Sequence, residues 1–327
     1  MNKLLLIAGG STLVYAGLAL VMGVLPGAML SQTPPGPGVV PLTPLEAEGR
    51  EVYVANGCSY WHTQQVRPLS QDKVFGPPSA PGDFAYQTPE LLGSERTGPD
   101  LTNVGVRQPS TVWQYIHLYN PRAVVPESIM PSFPWLFDIV DTDDAPAGVA
   151  PVPLPAAYAS AHGKVVPSQK AQALVAYLLS LKQPKLAGAP HMASAGGGAM
   201  TMAAPAAPAA APAPSGYDAA KGEQLFSANC AACHQATGMG LPGAFPPLKG
   251  NAVVNDADPT AHIHAVLFGV SGVTIGGVKY DSEMPAFAGM LGDADIANII
   301  DHERSAWGNH GKLVTAKDVA AVRAKGK

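Results

Sequence analysis

The sequence predicts a mostly α-helical protein: a membrane-spanning helix, then two small helical domains joined by an Ala/Pro-rich linker. Three observations predict this. Residues 4–25 form an apolar run without a charge. Two stretches, Cys58-Ser59-Tyr60-Trp61-His62 and Cys230-Ala231-Ala232-Cys233-His234, repeat Cys and His at one spacing. Each follows a segment in which a glycine and an aromatic residue lie four apart, on one helix face. Finally, residues 186–216 are rich in Ala, Pro and Gly and carry no charge, so they cannot bury a core.

The apolar run LLLIAGGSTLVYAGLALVMGVL reaches the roughly 20 residues that cross a bilayer as a helix. Lys3 precedes it and no charge follows until Glu46, which favours a cytoplasmic amino terminus. A cleaved signal peptide is the rival. The run is longer than the roughly 7–15 apolar residues of such a peptide, and no A-x-A-like site follows cleanly. Residues 1–30 are therefore expected to be an uncleaved anchor, with the rest of the chain exported. Residues 31–45 form a Pro-rich spacer, expected to be extended and to hold the next domain off the membrane.

At 327 residues the chain has room for about two domains. A net charge of −4 and 13% charged residues leave no broad basic surface for nucleic acid. Its 33 prolines and 35 glycines point to loops and linkers rather than one large core. The three cysteines are odd in number: if Cys230 and Cys233 act together, Cys58 has no disulfide partner.

Cys230 to His234 reads C-x-x-C-H, the attachment signature of c-type haem. Two thiols add to the two vinyl groups of one haem, and His234 becomes an axial ligand. The metal chemistry is the haem's; the chain supplies ligands, burial and position. A zinc pair or a redox dithiol competes for C-x-x-C alone, and the adjacent histidine favours haem. Met284, in Ser282-Glu283-Met284-Pro285, lies between this segment and the last helix of the domain and is the expected sixth ligand. Its alternative is a core methionine. Met239 lies too near the haem segment and Met290 beside the final helix.

The remaining elements follow in order. A helix is expected from Leu45 to Tyr53. Another, Ala171–Leu181, stands behind Ser168 as N-cap. A third holds Trp113 and His117. His117 is expected to pack or to meet an interface rather than bind metal, and Trp113 and Trp135 to be core or interface aromatics rather than electron relays. Residues 138–166 lack periodicity and read as a surface excursion. Asp218 is expected to cap a helix over Ala219–Asn229. Its Gly222 and Phe226 repeat the Gly49 and Tyr53 spacing, so the domains read as an internal repeat over 46–185 and 217–327. His262 and His264, two apart, fall on different helix faces and are expected to be exposed or interfacial. Asp293 is expected to cap the last domain helix, with Ile296, Ile299 and Ile300 toward the Gly222 helix and Gly308 as stop. Thr315 and Asp318 open a short basic helix with a capping box. Lys312, Lys317, Arg323, Lys325 and Lys327 make this tail basic.

Trp61 stands where a second cysteine would complete the first motif. One thioether bond is possible there and two are not. Three outcomes stay open: haem held by Cys58 alone, no haem with Trp61 filling the space, or a sporadic Cys-to-Trp change.

Two helices crossing at a glycine resemble the frame of a class I cytochrome c. That resemblance implies Met130 as the partner of His62. It also implies a proline carbonyl, from Pro246 or Pro247, accepting the proton of His234. Longer runs are more specific: Gln65-Val66-Arg67-Pro68, residues 93–101 (GSERTGPDL), residues 117–122 (HLYNPR) and residues 125–135 (VPESIMPSFPW). Over residues 1–182 the chain resembles the mono-haem cytochrome c subunit of cbb3-type haem–copper oxidases. This implies a periplasmic cytochrome, anchored by one helix in the bacterial inner membrane and in contact with its lipid, docked on a catalytic subunit. It implies His62 and Met130 as iron ligands and Cys58 as a linking thiol. Pro99 is placed to take the Nδ1 proton of His62, and Arg67 and Arg96 suit haem propionates, with a salt bridge or a subunit contact as the alternative. The expected function is electron transfer from a soluble periplasmic donor toward the oxygen-reducing subunit, with no catalysis by this chain alone. The alternatives are a free-standing anchored cytochrome, or a docking module carrying one haem.

Overall fold

The computed structural model describes residues 3–93, 95–141, 149–183, 216–280 and 282–326. The expected linker, except Gly216, and Lys327 lie outside them. Helices dominate, and among the described residues the strands are four short ones in two antiparallel pairs.

The Lys3–Met29 helix is long and apolar enough to cross a membrane and buries nothing against the domains. It passes through a π turn at Leu20–Val24. The Ser11 and Thr12 hydroxyls are satisfied internally, both donating to the Ala8 carbonyl, as an apolar solvent demands. The Gly36 N–H donates to the Gly82 carbonyl at 3.0 Å, and a Cβ at Gly82 would come within 2.8 Å of Gly36 N. The spacer thus lies on the first domain.

In the first domain the Pro44–Ala55 helix starts with a capping box between Thr43 and Glu46. It crosses the Gln169–Ser180 helix, which Ser168 caps through Ala171 N–H. Gly49 is the crossing point: a Cβ there would overlap the Ala173 carbonyl. Tyr53 and Tyr177 meet edge to face beside it, centroids 5.5 Å apart. The excursion contains structure that the pattern hid. Phe137–Val140 pairs antiparallel with Lys164–Pro167, in the register Phe137 to Pro167, and Val165 and Val166 are buried. Four-residue strands are too short to show a period.

The second domain repeats the crossing. Asp218 caps the Ala219–Asn229 helix through Lys221 N–H, and that helix packs on Asp293–Ser305, where a Cβ on Gly222 would come within 2.7 Å of the Asn298 carbonyl. The expected cap Asp293 is instead the first helical residue, after Gly292. Its carboxylate takes Arg323 Nε–H at 2.7 Å, tying the Ala316–Lys325 helix down. That helix carries the expected Thr315/Asp318 capping box, with Val319 and Val322 inward. A hairpin, Val273–Ile275 with Val278–Tyr280, turns at Gly276-Gly277, both at positive φ.

Candidate haem sites

The two motifs fold alike despite Trp61. Trp61 N–H and His62 N–H both donate to the Cys58 carbonyl, each at 3.1 Å. Cys233 N–H and His234 N–H donate to the Cys230 carbonyl at 3.1 and 2.9 Å. One helical turn therefore sets each thiol and imidazole on adjoining faces.

Each histidine is oriented by a proline carbonyl. His62 Nδ1 donates to Pro99 O at 2.8 Å and His234 Nδ1 to Pro246 O at 2.9 Å, which leaves Nε2 of each for a metal. Pro246 is thus the partner; the Pro247 carbonyl takes Asn251 Nδ2–H instead. Gly98 is needed beside His62, because a Cβ there would strike the imidazole ring.

The methionines lie against the same cores as the thiols, Met130 and Cys58 in the first and Met284 and Cys230 in the second. Their loops are held differently. Arg122 donates to the Met130 carbonyl at 2.9 Å. Met284 N–H donates to the Val270 carbonyl at 2.8 Å, and Gly269 is needed there, since a Cβ would overlap the Met284 carbonyl. Met239 is exposed.

Burial pushes the Cys58 thiol up to about 11, the Cys233 thiol to about 12 and Cys230 well above its ordinary value. Such thiols stay protonated, unlike zinc thiolates or an activated dithiol. Among the described residues no three His, Cys, Asp or Glu side chains are grouped to hold a metal ion. Burial also pushes His62 and His234 down, keeping each imidazole neutral. Thiol, neutral imidazole with Nδ1 engaged, and thioether are the donor set of haem c, and both sites supply it.

The structure sorts several of the expectations. Arg67 and Arg96 pair with Asp72, at 2.9 and 2.6 Å. Arg96 also donates to Thr63 Oγ1 and the Gln65 carbonyl. They clamp the segment leaving His62 to the Asp72 loop, the salt bridge that stood as the alternative to a propionate contact. Trp61 is half exposed and outside the core. His262 is buried, not exposed, with Nε2 at 2.7 Å from Glu303. His117 belongs to the first site: Nε2 is 3.1 Å from Met130 Sδ, and Nδ1 is buried without a partner. Neither His117 nor Arg122 was assigned a site role from sequence, although both sit in the run HLYNPR.

Residues 2–162 match the family model described as cytochrome c oxidase, mono-heme subunit/FixO, and residues 219–307 match the cytochrome c model. The cytochrome c-552 of Thermus thermophilus is 37% identical over 115 residues, 32% of this chain and 86% of that protein. The cytochrome c6 of Leptolyngbya boryana is 37% identical over 94 residues, 28% of this chain and 99% of that protein. The cytochrome c subunit of the quinone alcohol dehydrogenase of Gluconobacter oxydans is 35% identical over 106 residues, 32% of this chain and 22% of that protein.

Proposed function

We propose that this chain, which belongs to the FixO mono-haem oxidase subunit family in its first part and to the cytochrome c family in its last, relays electrons into a cbb3-type haem–copper oxidase. Bound haem c supplies a one-electron iron couple at each site. Cys230 and Cys233 would hold the second haem through two thioethers, with His234 and Met284 as the residues that would ligate its iron. Cys58 would hold the first through one, with His62 and Met130. Pro99 and Pro246 fix the imidazoles. With imidazole and thioether both given to iron, the chain would carry electrons and oxygen chemistry would belong to its partner. The helix of residues 3–29 anchors it in the bacterial inner membrane, with both domains on the periplasmic side. Residues 46–185 and 217–327 are the two electron-carrying units, joined by 186–216.

The observation that carries this reading is the duplicated lock, His Nδ1 on a prolyl carbonyl one turn after a cysteine, in one membrane-anchored chain. The test is purification of the full chain from its own membranes, with a haem count and an assay of oxygen uptake. The expected result is two haems per chain and co-purification with an oxygen-reducing membrane subunit. A chain that purifies alone with its haem would overturn the oxidase assignment. A second reading follows from the similarity to a dehydrogenase cytochrome subunit: the partner would then be a dehydrogenase, and the same purification would yield that enzyme.

A further inference from the structure

The two domains touch, and the contact lies on the haem motifs themselves. Trp113 Nε1–H donates to the Ala232 carbonyl, inside the C-x-x-C-H turn, at 3.1 Å. Gln108 Nε2 lies 3.9 Å from Cys233 Sγ. Leu241, Ala244 and Phe245, from the loop after His234, are buried in the same apolar cluster as Val104 and Ile116 of the first domain. A cavity of about 150 Å³ separates Pro109, Thr111 and Val112 from Ser282 and Glu283, next to Met284. The first domain thus covers the Cys233 side of the second site.

From this contact a short line of side chains runs to the first site. Trp113 stacks on His117 one helical turn later, centroids 4.5 Å apart and planes 12° from parallel. His117 Nε2 lies 3.1 Å from Met130 Sδ. Ala232, Trp113, His117 and Met130 therefore form an unbroken series of close contacts from the Cys230–His234 turn to the first candidate haem site. An indole and an imidazole are polarisable π systems suited to electron passage over such a gap.

We propose that this docked face is the crossing for electrons between the two sites, and that Trp113 is the residue that positions it. One electron, supplied by a one-electron periplasmic carrier, leaves the reduced site at His234 and Met284. It arrives at the oxidised site at His62 and Met130. No covalent bond changes and no proton moves. The proposal rests on the reading that the first site holds haem.

The test uses the full chain in detergent with Trp113→Ala and Trp113→Phe. Three quantities are read: haem per chain, the rate at which an electron injected at the second site appears at the first, and hydrogen–deuterium exchange of residues 231–234. The expected result for Trp113→Ala is a rate at least tenfold slower, faster exchange at 231–234, and unchanged reduction potentials at both sites. Trp113→Phe keeps the stack on His117 and recovers part of the rate. If Trp113→Ala does not accumulate, Gln108→Ala on the same face takes its place, with a smaller slowing. Two haems with an unchanged rate overturn this proposal alone. So does a slowing that comes with shifted potentials, which marks damage to a site rather than a lost crossing. One haem per chain in the unaltered protein overturns the reading of the first site and this proposal with it.

Discussion

The site around Cys58 and the site around Cys230 share a turn, a proline lock and a methionine, and differ in what surrounds them. The first sits among charges: Asp72 joins Arg67 and Arg96, and Asp100 accepts from Thr63, Gln65 and Thr102. Side chains, Arg122 and His117, hold its methionine loop. The second has one buried pair, His262 with Glu303, beside Cys230, and backbone holds its methionine through Val270. A site that keeps two thioethers can rely on covalent bonds to place its haem. A site with one has more to gain from a clamped frame, and the ion-paired loop and the arginine-held methionine provide it.

The sharpest way to break this comparison is to remove the thiols. Cys58→Ala should halve the covalently bound haem, and replacing both Cys230 and Cys233 by Ala should leave only the haem on Cys58. Haem staining after denaturation reads both, and no change on Cys58→Ala would end the single-thioether site. Trp61→Cys should convert the first site to a two-thioether one. Its pyridine haemochrome band then moves to the blue, toward that of the second site, because a vinyl group leaves the conjugated system.

Next in size is Met284→Ala, which should lower the reduction potential of the second site by on the order of 0.1 V within the ~0.8 V span open to axial ligation. Met130→Ala should do the same to the first, and redox titration separates them by band position.

The helix crossings give a smaller contrast. Gly49→Ala drives a methyl into the Ala173 carbonyl and meets Tyr177 Cβ at 2.8 Å. It should cost the first domain about 3 kcal/mol or more, and Gly222→Ala, 2.7 Å from the Asn298 carbonyl, about 1–3 kcal/mol in the second. Denaturant melts of the two variants read the difference.

The smallest contrast is in acid response. The Arg67 and Arg96 guanidiniums hold Asp72 well below the usual carboxylate range. The stability it contributes is present above about pH 4 and is lost as pH falls below that. Burial instead pushes Asp301 in the second domain up to about 6. Its folded form keeps a proton that the unfolded chain gives up, so that domain loses stability as pH rises from about 4 to about 6. Asp72→Asn should flatten the first profile and Asp301→Asn the second, read by thermal melts from about pH 2, well into the Asp72 loss, to about pH 7, above the Asp301 change.

Motif spacing made the frame legible. Gly49 and Tyr53, Ser168, Asp218, Gly222 and Pro99 all take the places that their chemistry and position predict. What stayed hidden depends on tertiary partners. Arg67 and Arg96 read as anion binders, but which anion they meet depends on the Asp72 loop folding back. His262 reads as one of two exposed histidines until Glu303 arrives from another helix to pair with it in the core. The Phe137–Val140 strand is too short for a period, while the Gly276-Gly277 pair between β-branched residues was a readable turn signal. Trp113 reads as an ordinary core aromatic, because its partner, the Ala232 carbonyl, belongs to the other domain.

The bond from Gly36 to Gly82 sets how high the first domain can ride above a bilayer. The 27-residue anchor is about 40 Å long against a hydrocarbon core of about 30 Å. Five residues, 31–35, separate the last helical residue Leu30 from Gly36. Fully stretched they reach about 18 Å. The leash is therefore short: were the helix to span a bilayer, the first domain would stay within about 30 Å of the hydrocarbon surface.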